Sequence, residues 1–136
     1  MTEQEIIYTM ALTRVPRVNT AAQHRLMEEL GSASVVFDHR HHIRDFYPEA
    51  SDKLSAALQE MEVQVARAEE ELEFTRKHHI KCLCYHDTDY PSRLRECDDA
   101  PLLLYYKGNA DLNRTYVINM VGTRHCTEYG LSLIHI

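Results

Sequence analysis

Apolar residues in the first part of the chain recur every three or four positions, which is the period of an amphipathic helix. This spacing predicts a first helix over residues 3–12 and a second over residues 21–30. Asn19 and Thr20 are both suitable caps for the second helix, because their side-chain oxygens can accept a hydrogen bond from a free backbone N–H. Gly31 is suited to end it.

The strongest periodic signal lies between residues 54 and 72. Apolar residues there step by four, three, four, three and four positions: Leu54, Leu58, Met61, Val65, Ala68 and Leu72. These steps place them on one stripe, and we expect one long helix whose opposite, charged face is solvated. The stripe covers fewer than three heptads and includes an alanine, so it indicates packing within its own domain rather than a coiled coil.

The period of the pattern changes after His79. The segment IKCLCYH alternates like a strand, and YPSRLREC predicts a short helix that starts at Pro91. The runs PLLLYYKGN and TYVINMV have the pattern of buried strands, which end at Gly108 and Gly122. Strand, short helix, strand, strand and glycine turn predict the start of an α/β sheet. The domain boundary therefore falls near residues 75–80.

Composition and charge narrow the class of protein. The 136 residues are 44% apolar and 26% charged, as in a soluble globular protein. The chain has no apolar run of the roughly 20 residues that a membrane span needs, and its first residues do not resemble a signal peptide. We therefore expect a cytoplasmic protein with no membrane partner. The net charge of −6 argues against a broadly basic nucleic-acid binder, so any such site must be local.

The four cysteines raise the question of a disulfide or a metal site. Without a secretory signal we expect reduced thiols. On a strand, Cys82, Cys84 and His86 would point to one side, and thiolates and imidazoles are the usual zinc ligands. One strand cannot easily wrap three ligands around a tetrahedral ion, however, and CxC is not a usual zinc spacing. We favour buried core cysteines and expect no metal or other cofactor, with a metal-dependent interaction module as an alternative.

The turn VGTRHCTEYG is the strongest candidate for binding chemistry. Gly122, at the end of the predicted strand, allows close backbone approach to a ligand, and Thr123 offers a hydroxyl. Arg124 supplies a fork of donors that suits a phosphate, and Thr127 can cap a following helix. The spacing is neither GxGxxG nor GxxxxGK[ST], so it does not indicate a dinucleotide or a nucleoside triphosphate. A plain surface arginine after a strand remains the alternative interpretation.

Three segments together resemble a known family. They are ALTRVP…LMEELGSASVVF near the start, YPSRLRECDDAPLLLYYKGNADL in the middle and INMVGTRHCTEYG near the end. In this order and spacing they are similar to the bacterial DNA-processing protein A family (DprA, also called Smf). The resemblance covers residues 1 to about 130. Its most specific parts are the YPxxLRE…DAPLLLYYKG and VGTRxxTxYG blocks.

This resemblance implies both a fold and a function. We expect an α/β protein with a small all-helical N-terminal domain at 1–78, SAM- or helix-hairpin-helix-like, and the truncated start of an extended Rossmann-like DNA-binding domain at 79–130. Family members bind single-stranded DNA cooperatively as homodimers, protect incoming strands during natural transformation and load the RecA recombinase. They are not known as enzymes. By resemblance the phosphate ligands are Gly122, Thr123 and Arg124, and Thr127, Tyr129 and Gly130 support the motif.

Two features depart from the family pattern. The N-terminal domain of family members often has a PGIG-like hairpin, whereas this chain has PRVN, with Arg17 and Asn19 in place of the glycines. Because side chains there hinder close backbone approach, we assign no DNA-binding role to the helical domain. The last residues, LSLIHI, are what a transposon mosaic end encodes, and we expect residues 131–136 to be a non-native tail on a truncated chain.

One enzyme alternative also follows from the predicted fold. Rossmann-like sheets with a comparable glycine turn serve nucleotide hydrolases, so such an activity is the second hypothesis for this protein. It requires acidic or nucleophilic residues at the site, and no Ser/His/Asp spacing, HExxH motif or paired catalytic carboxylates can be argued from the sequence. We therefore favour a non-enzymatic mediator that binds single-stranded DNA.

Overall fold

The computed structural model describes residues 1–134. Its N-terminal part is helical, with α1 (Glu3–Arg14), α2 (Thr20–Leu30), α3 (Ala33–Asp38), α4 (Ile43–Phe46), α5 (Asp52–Gln59) and α6 (Met61–Lys77). Then follow β1 (Lys81–Cys84), α7 (Ser92–Arg95), β2 (Leu103–Tyr106) and α8 (Glu128–Ile134). The predicted fold class, a helical N-terminal part followed by an α/β fragment, is confirmed.

The first two helices begin and end close to the predicted positions. The α1 helix continues to Arg14, and the next residue, Val15, is extended as expected before a proline. Asn19 caps α2, because its side chain accepts a hydrogen bond from the Ala22 N–H at 2.9 Å. Gly31 ends the helix with φ of 90°, a left-handed conformation that glycine adopts without steric cost.

A carboxylate on α1 caps α3 from a distance in sequence. Oε1 of Glu5 accepts hydrogen bonds from the N–H groups of Ala33 at 2.7 Å and Ser34 at 3.4 Å. The Ser32 hydroxyl accepts from the Val35 N–H at 3.4 Å. Free amides at a helix start favour a negative charge, so this contact stabilises α3 and also holds it against α1.

The prediction of a single long helix over residues 54–72 is wrong, because these residues lie in two helices, α5 and α6. The break lies at Glu60, whose N–H donates to Ala57 O at 3.1 Å, and whose carbonyl accepts from Val63 N–H at 3.2 Å. These are the tighter i to i+3 bonds that replace the helical i to i+4 bonds at a helix end. Glu60 keeps a right-handed helical conformation. The apolar stripe therefore stays on one side, and Leu58 and Met61 are both fully buried.

The helices share one hydrophobic core with the paired strands β1 and β2, which we call the hairpin. The α1 helix lies against α6 and α3 and also contacts both strands. The strands pair in antiparallel fashion, with Cys82 opposite Tyr105 and Cys84 opposite Leu103. One buried cluster includes Met10 of α1 together with Cys84 and Leu103 of the hairpin. The domain boundary between residues 78 and 79 stays a prediction. The buried cluster contains residues from both sides of this boundary, such as Met10 and Cys84.

The strand expected over TYVINMV is not formed. Within residues 1–134 the sheet has two strands, and residues 116–121 have no ladder partner. Three of their large apolar side chains are almost fully exposed, with exposed fractions of 92% for Tyr116, 90% for Ile118 and 95% for Val121. A strand needs a neighbour to bond its backbone, and the described residues place none beside this segment.

Two further predictions concern membrane-spanning helices and the last six residues. No helix among residues 1–134 is long and apolar enough to cross a membrane. The expected non-native tail, residues 131–136, continues α8 as far as Ile134. Residues 135–136 lie outside the described residues, so the origin of the tail stays a prediction.

Candidate nucleic-acid interface

Arg95 makes hydrogen bonds and aromatic contacts that hold the loop after β1 against α7. The Nε group of Arg95 donates to Tyr85 O at 2.8 Å, and one terminal nitrogen donates to Asp87 O at 2.7 Å. Its guanidinium also lies over the rings of Tyr85 and Tyr90, at 5.7 and 5.5 Å from their centroids. In return the Tyr85 hydroxyl donates to Arg95 O at 3.1 Å. Arg95 thus joins α7 to the loop that follows β1.

Tyr90 anchors the same loop from inside. Its ring is fully buried, and its hydroxyl donates to Pro101 O at 2.7 Å. The neighbouring Ala100 O lies 2.6 Å from Nε2 of His24 on α2, whose ring also packs edge-on against Tyr85. A buried tyrosine needs a partner for its hydroxyl, and Pro101 supplies it. The loops on both sides of α7 are therefore held in place by side chains.

Asn113 fixes the chain after β2 to the start of α7. Its Oδ1 accepts a hydrogen bond from the Ser92 N–H at 2.7 Å. Its Nδ2 group donates to Thr88 O at 3.2 Å and to Tyr90 O at 3.1 Å. One amide side chain thus satisfies three backbone groups of a segment more than 20 residues earlier in the sequence.

Arg93 holds the next two residues. One terminal nitrogen of its guanidinium donates to Arg114 O at 3.0 Å, and the other donates to Thr115 O at 3.0 Å. The two carbonyls belong to consecutive residues, which a planar fork can reach at the same time. The backbone is therefore tied down as far as Thr115 by side chains of α7 and by Asn113.

The predicted phosphate ligands lie beyond this tether, together in one exposed turn. Nothing lies within 4 Å of the position that a Cβ would take on Gly122, so the backbone there is open to a ligand. The Thr123 hydroxyl donates to His125 O at 2.8 Å. Arg124 is exposed, and within residues 1–134 it takes part in none of the ion pairs. Its guanidinium is available to an anion.

The residues that support the motif lie at the start of α8. Thr127 caps this helix as predicted, because its hydroxyl accepts a hydrogen bond from the Gly130 N–H at 3.2 Å. The Leu131 N–H completes the first turn by donating to Thr127 O at 3.0 Å. Tyr129 is exposed. A Cβ on Gly130 would meet the Thr127 hydroxyl at an ordinary contact distance of 3.5 Å, so the turn itself does not demand glycine there.

Comparison with known proteins addresses the resemblance directly. A family model described as DNA recombination-mediator protein A matches residues 81–136, which include the hairpin, α7 and the candidate turn. The predicted resemblance to the DNA-processing protein A family is confirmed. The chain is also 48% identical over 44 residues to the DNA processing protein DprA of Streptococcus pneumoniae (strain ATCC BAA-255 / R6). That stretch covers 32% of this chain and 16% of the Streptococcus protein. No solved structure matches the chain.

The blocks that carry this family resemblance have different structural roles. Side chains of the YPSRLRE block, above all Tyr90, Arg93 and Arg95, bond to backbone carbonyls of the surrounding loops. The sequence interpretation missed Arg93 and Asn113, because no spacing rule indicates that a side chain bonds to backbone groups more than 20 positions away. A signal was present, since both lie in or beside the block that resembles the family.

The N-terminal departure from the family pattern also has a structural counterpart. Arg17 of the PRVN segment has φ of 68°, which lies in the left-handed region that glycine occupies freely. That conformation costs an ordinary residue on the order of 1 kcal/mol. The backbone of this turn thus has a glycine-like conformation although the side chain is an arginine. The helical part still has no assigned DNA-binding role.

Cys84 lies in the core and Cys82 packs against it, as expected, whereas Cys97 and Cys126 are exposed. No group of three or more histidine, cysteine or acidic side chains suited to a metal ion occurs among residues 1–134. Cys84 is buried, Cys82 is half-buried, and the Cys82 thiol lies 3.8 Å from the Thr75 hydroxyl. His86 lies beyond the end of β1, so the three residues of the alternative metal site do not share one strand.

We expect two classes of thiol in the native protein. Burial, together with the nearby Asp87 carboxylate, raises the pKa of Cys84 to about 12, and burial raises the pKa of Cys82. At pH 8 the exposed Cys97 and Cys126 should react with a thiol reagent at once, whereas Cys84 should react only after unfolding. Cys82, half-buried, should be slow. Counting thiols modified with and without denaturant tests this, and rapid modification of Cys84 in the folded protein would contradict it.

Proposed function

We propose that this protein is a recombination mediator that binds single-stranded DNA, and that the turn Gly122–Thr123–Arg124 contacts a DNA phosphate. The observation that carries the proposal is the position of Arg124. It is an exposed cation without an ion-pair partner among the described residues, and it lies in the part of the chain that matches the recombination-mediator family. A cation that the fold does not use is available for a partner.

The chemistry of the turn suits a phosphodiester. A guanidinium offers paired donors that match two phosphate oxygens, and the Thr123 hydroxyl can donate to a phosphate oxygen if it gives up its bond to His125 O. The open space at Gly122 lets a bulky strand come close to the backbone. One such contact is weak by itself, so Arg124 acts as one of several cationic contacts along the strand.

The finer parts of the proposal rest on the family resemblance. We propose that the protein acts in the cytoplasm during natural transformation, forms homodimers, and loads the RecA recombinase on the bound strand. We also propose residues 1–78 as the helical domain and residues 79–130 as part of a Rossmann-like DNA-binding domain, with no cofactor and no enzymatic step. Thr127, Tyr129 and Gly130 serve the turn by starting the helix behind it.

The test is binding of a fluorescent single-stranded oligonucleotide, followed by anisotropy across a salt series. Arg124→Ala should weaken binding by about tenfold to a hundredfold, because a hydrogen-bonded charge contact is worth roughly 1.5–3 kcal/mol. It should also lower the magnitude of the salt slope by about 0.7, the value for one phosphate contact on a single strand. Arg67→Ala is the matched control, since it removes one exposed charge from α6.

The control separates the site from general electrostatics. Equal losses for Arg67→Ala and Arg124→Ala would indicate that only net charge matters, and the assignment of Arg124 would be wrong. If the unaltered protein binds no single-stranded DNA in low salt, the mediator function itself fails. Release of phosphate from a nucleotide in that case would favour the nucleotide-hydrolase alternative.

A further inference from the structure

Between the hairpin and the candidate turn, side chains hold the described backbone at Ala110, whose O accepts from the Tyr106 hydroxyl at 2.8 Å, and at residues 113–115. Asn113 and Arg93 together make five hydrogen bonds that join residues 113–115 to α7 and the loop before it. We call this set of contacts the tether. After Thr115, no described residue up to Val121 makes a side-chain hydrogen bond or a strand pair. The tether is therefore the last fixed point before Arg124.

The length of the free segment sets how far Arg124 can move from the tether. Arg124 lies nine positions after Thr115. An extended chain of that length spans up to roughly 30 Å. If the tether opens as well, the free segment extends back towards β2 and its residues gain conformational freedom. Ordering that longer segment on a ligand costs more free energy, since each fixed residue loses about 1–2 kcal/mol of entropy.

The tether uses chemistry that close substitutes do not reproduce. Arg93 reaches two consecutive carbonyls at once, whereas a lysine ammonium is a point charge without a planar fork. Asn113 combines one acceptor with two donors, and an aspartate would keep the acceptor for the Ser92 N–H but lose both donors. Conservative variants therefore open the tether with little change in size.

We propose that Arg93 and Asn113 are positioning residues that present the turn at Arg124 to single-stranded DNA. This inference rests on the proposed function and deepens it, because it assigns part of the DNA affinity to residues that do not contact DNA. Each terminal nitrogen of the Arg93 guanidinium already donates one hydrogen bond to a backbone carbonyl, which fixes the direction of the group. Arg93 acts through the placement of the turn and not as a second phosphate ligand.

A double-mutant cycle on the full chain separates positioning from direct contact. We expect Arg93→Lys, which keeps the positive charge, to weaken binding of a single-stranded oligonucleotide about fivefold, on the scale of one or two lost hydrogen bonds. In the Arg124→Ala background the same change should have almost no further effect, because the contact that it positions is already absent. Asn113→Asp also adds a negative charge, so it should weaken binding in both backgrounds but by clearly less in the Arg124→Ala background, and it serves if Arg93→Lys does not fold.

A second measurement reports on the tether without DNA. Arg114 is exposed and is a trypsin site directly inside the tether. Cleavage after Arg114 should be several-fold faster in Arg93→Lys and Asn113→Asp, whereas the melting temperature should change by only a few degrees. This rate shows whether the tether has opened, whatever the protein binds.

The outcomes separate the inference from the function on which it rests. Faster cleavage with unchanged DNA affinity, while Arg124→Ala lowers affinity, would overturn the positioning role and leave the mediator function standing. Additive losses in the double variant would overturn it too, because Arg93 would then contact DNA itself. Absence of DNA binding by the unaltered protein would remove both proposals, and the cleavage rates would still show whether the tether holds residues 113–115.

Discussion

Replacing Tyr90 with alanine should lower the free energy of unfolding by roughly 3–5 kcal/mol, the range for a fully buried aromatic side chain. The ring has no exposed surface, and its hydroxyl donates to Pro101 O at 2.7 Å. The guanidinium of Arg95 and the ring of Tyr85 pack around it. Alanine would leave a cavity and an unpaired carbonyl at the centre of the loops that carry α7.

Tyr90→Phe is the matched control for this prediction. It keeps the ring and removes only the hydroxyl, so we expect a loss of about 1 kcal/mol, with some addition if Pro101 O stays buried and unpaired. Urea unfolding followed by circular dichroism measures both variants. Equal stability of the alanine and phenylalanine variants would mean that the ring is not part of the cooperative core.

Leu58→Ala should cost roughly 2–5 kcal/mol of unfolding free energy, for the helical side of the core. Leu58 lies on α5 and is fully buried, two residues before the break at Glu60. The stripe of apolar residues continues on α6 with Met61, also fully buried. Loss of this leucine removes contacts at the place where the two helices meet, so both α5 and α6 should be destabilised.

An exposed valine on α6 provides the control for Leu58. Val63 is 71% exposed, and Val63→Ala should change the unfolding free energy by less than about 0.5 kcal/mol, since alanine also favours helix. The same urea titration compares the two variants. A cost for Val63→Ala similar to that for Leu58→Ala would show that the stripe has been placed on the wrong face of the helices.

The sequence predicted helix ends correctly where a capping or turn residue at the end itself determines the position. Asn19 and Gly31 mark the ends of α2 because a side-chain cap and a left-handed glycine are local devices. Pro91 starts α7 for a similar reason. Glu60 gave no such signal, because glutamate is a good helix former. Leu58 and Met61, on either side of the break, are both fully buried, and single-residue propensities do not describe such packing.

In the candidate site, too, the parts made of neighbouring residues were predicted and the parts that join distant residues were not. Gly122, Thr123 and Arg124 are neighbours in sequence, so their proximity needed no fold, and the cap at Thr127 was predicted from the same turn. The tether could not be predicted, because Arg93 and Asn113 are joined to distant backbone groups by tertiary structure. The strand expected over residues 115–121 is a different case, since a strand depends on a partner that its own sequence does not contain.

The sequence by itself determined the helical caps, the apolar stripe, the core position of Cys84 and the family resemblance, because these depend on neighbouring residues or on side-chain type. Only the tertiary structure decided the break at Glu60, the capping of α3 by Glu5, and the tether that ends at Thr115. The capping of α3 and the tether join groups far apart in the chain, and the break at Glu60 lies between two fully buried residues, Leu58 and Met61. Their geometry is set by how the helices and the hairpin pack around one core, and no local pattern encodes it.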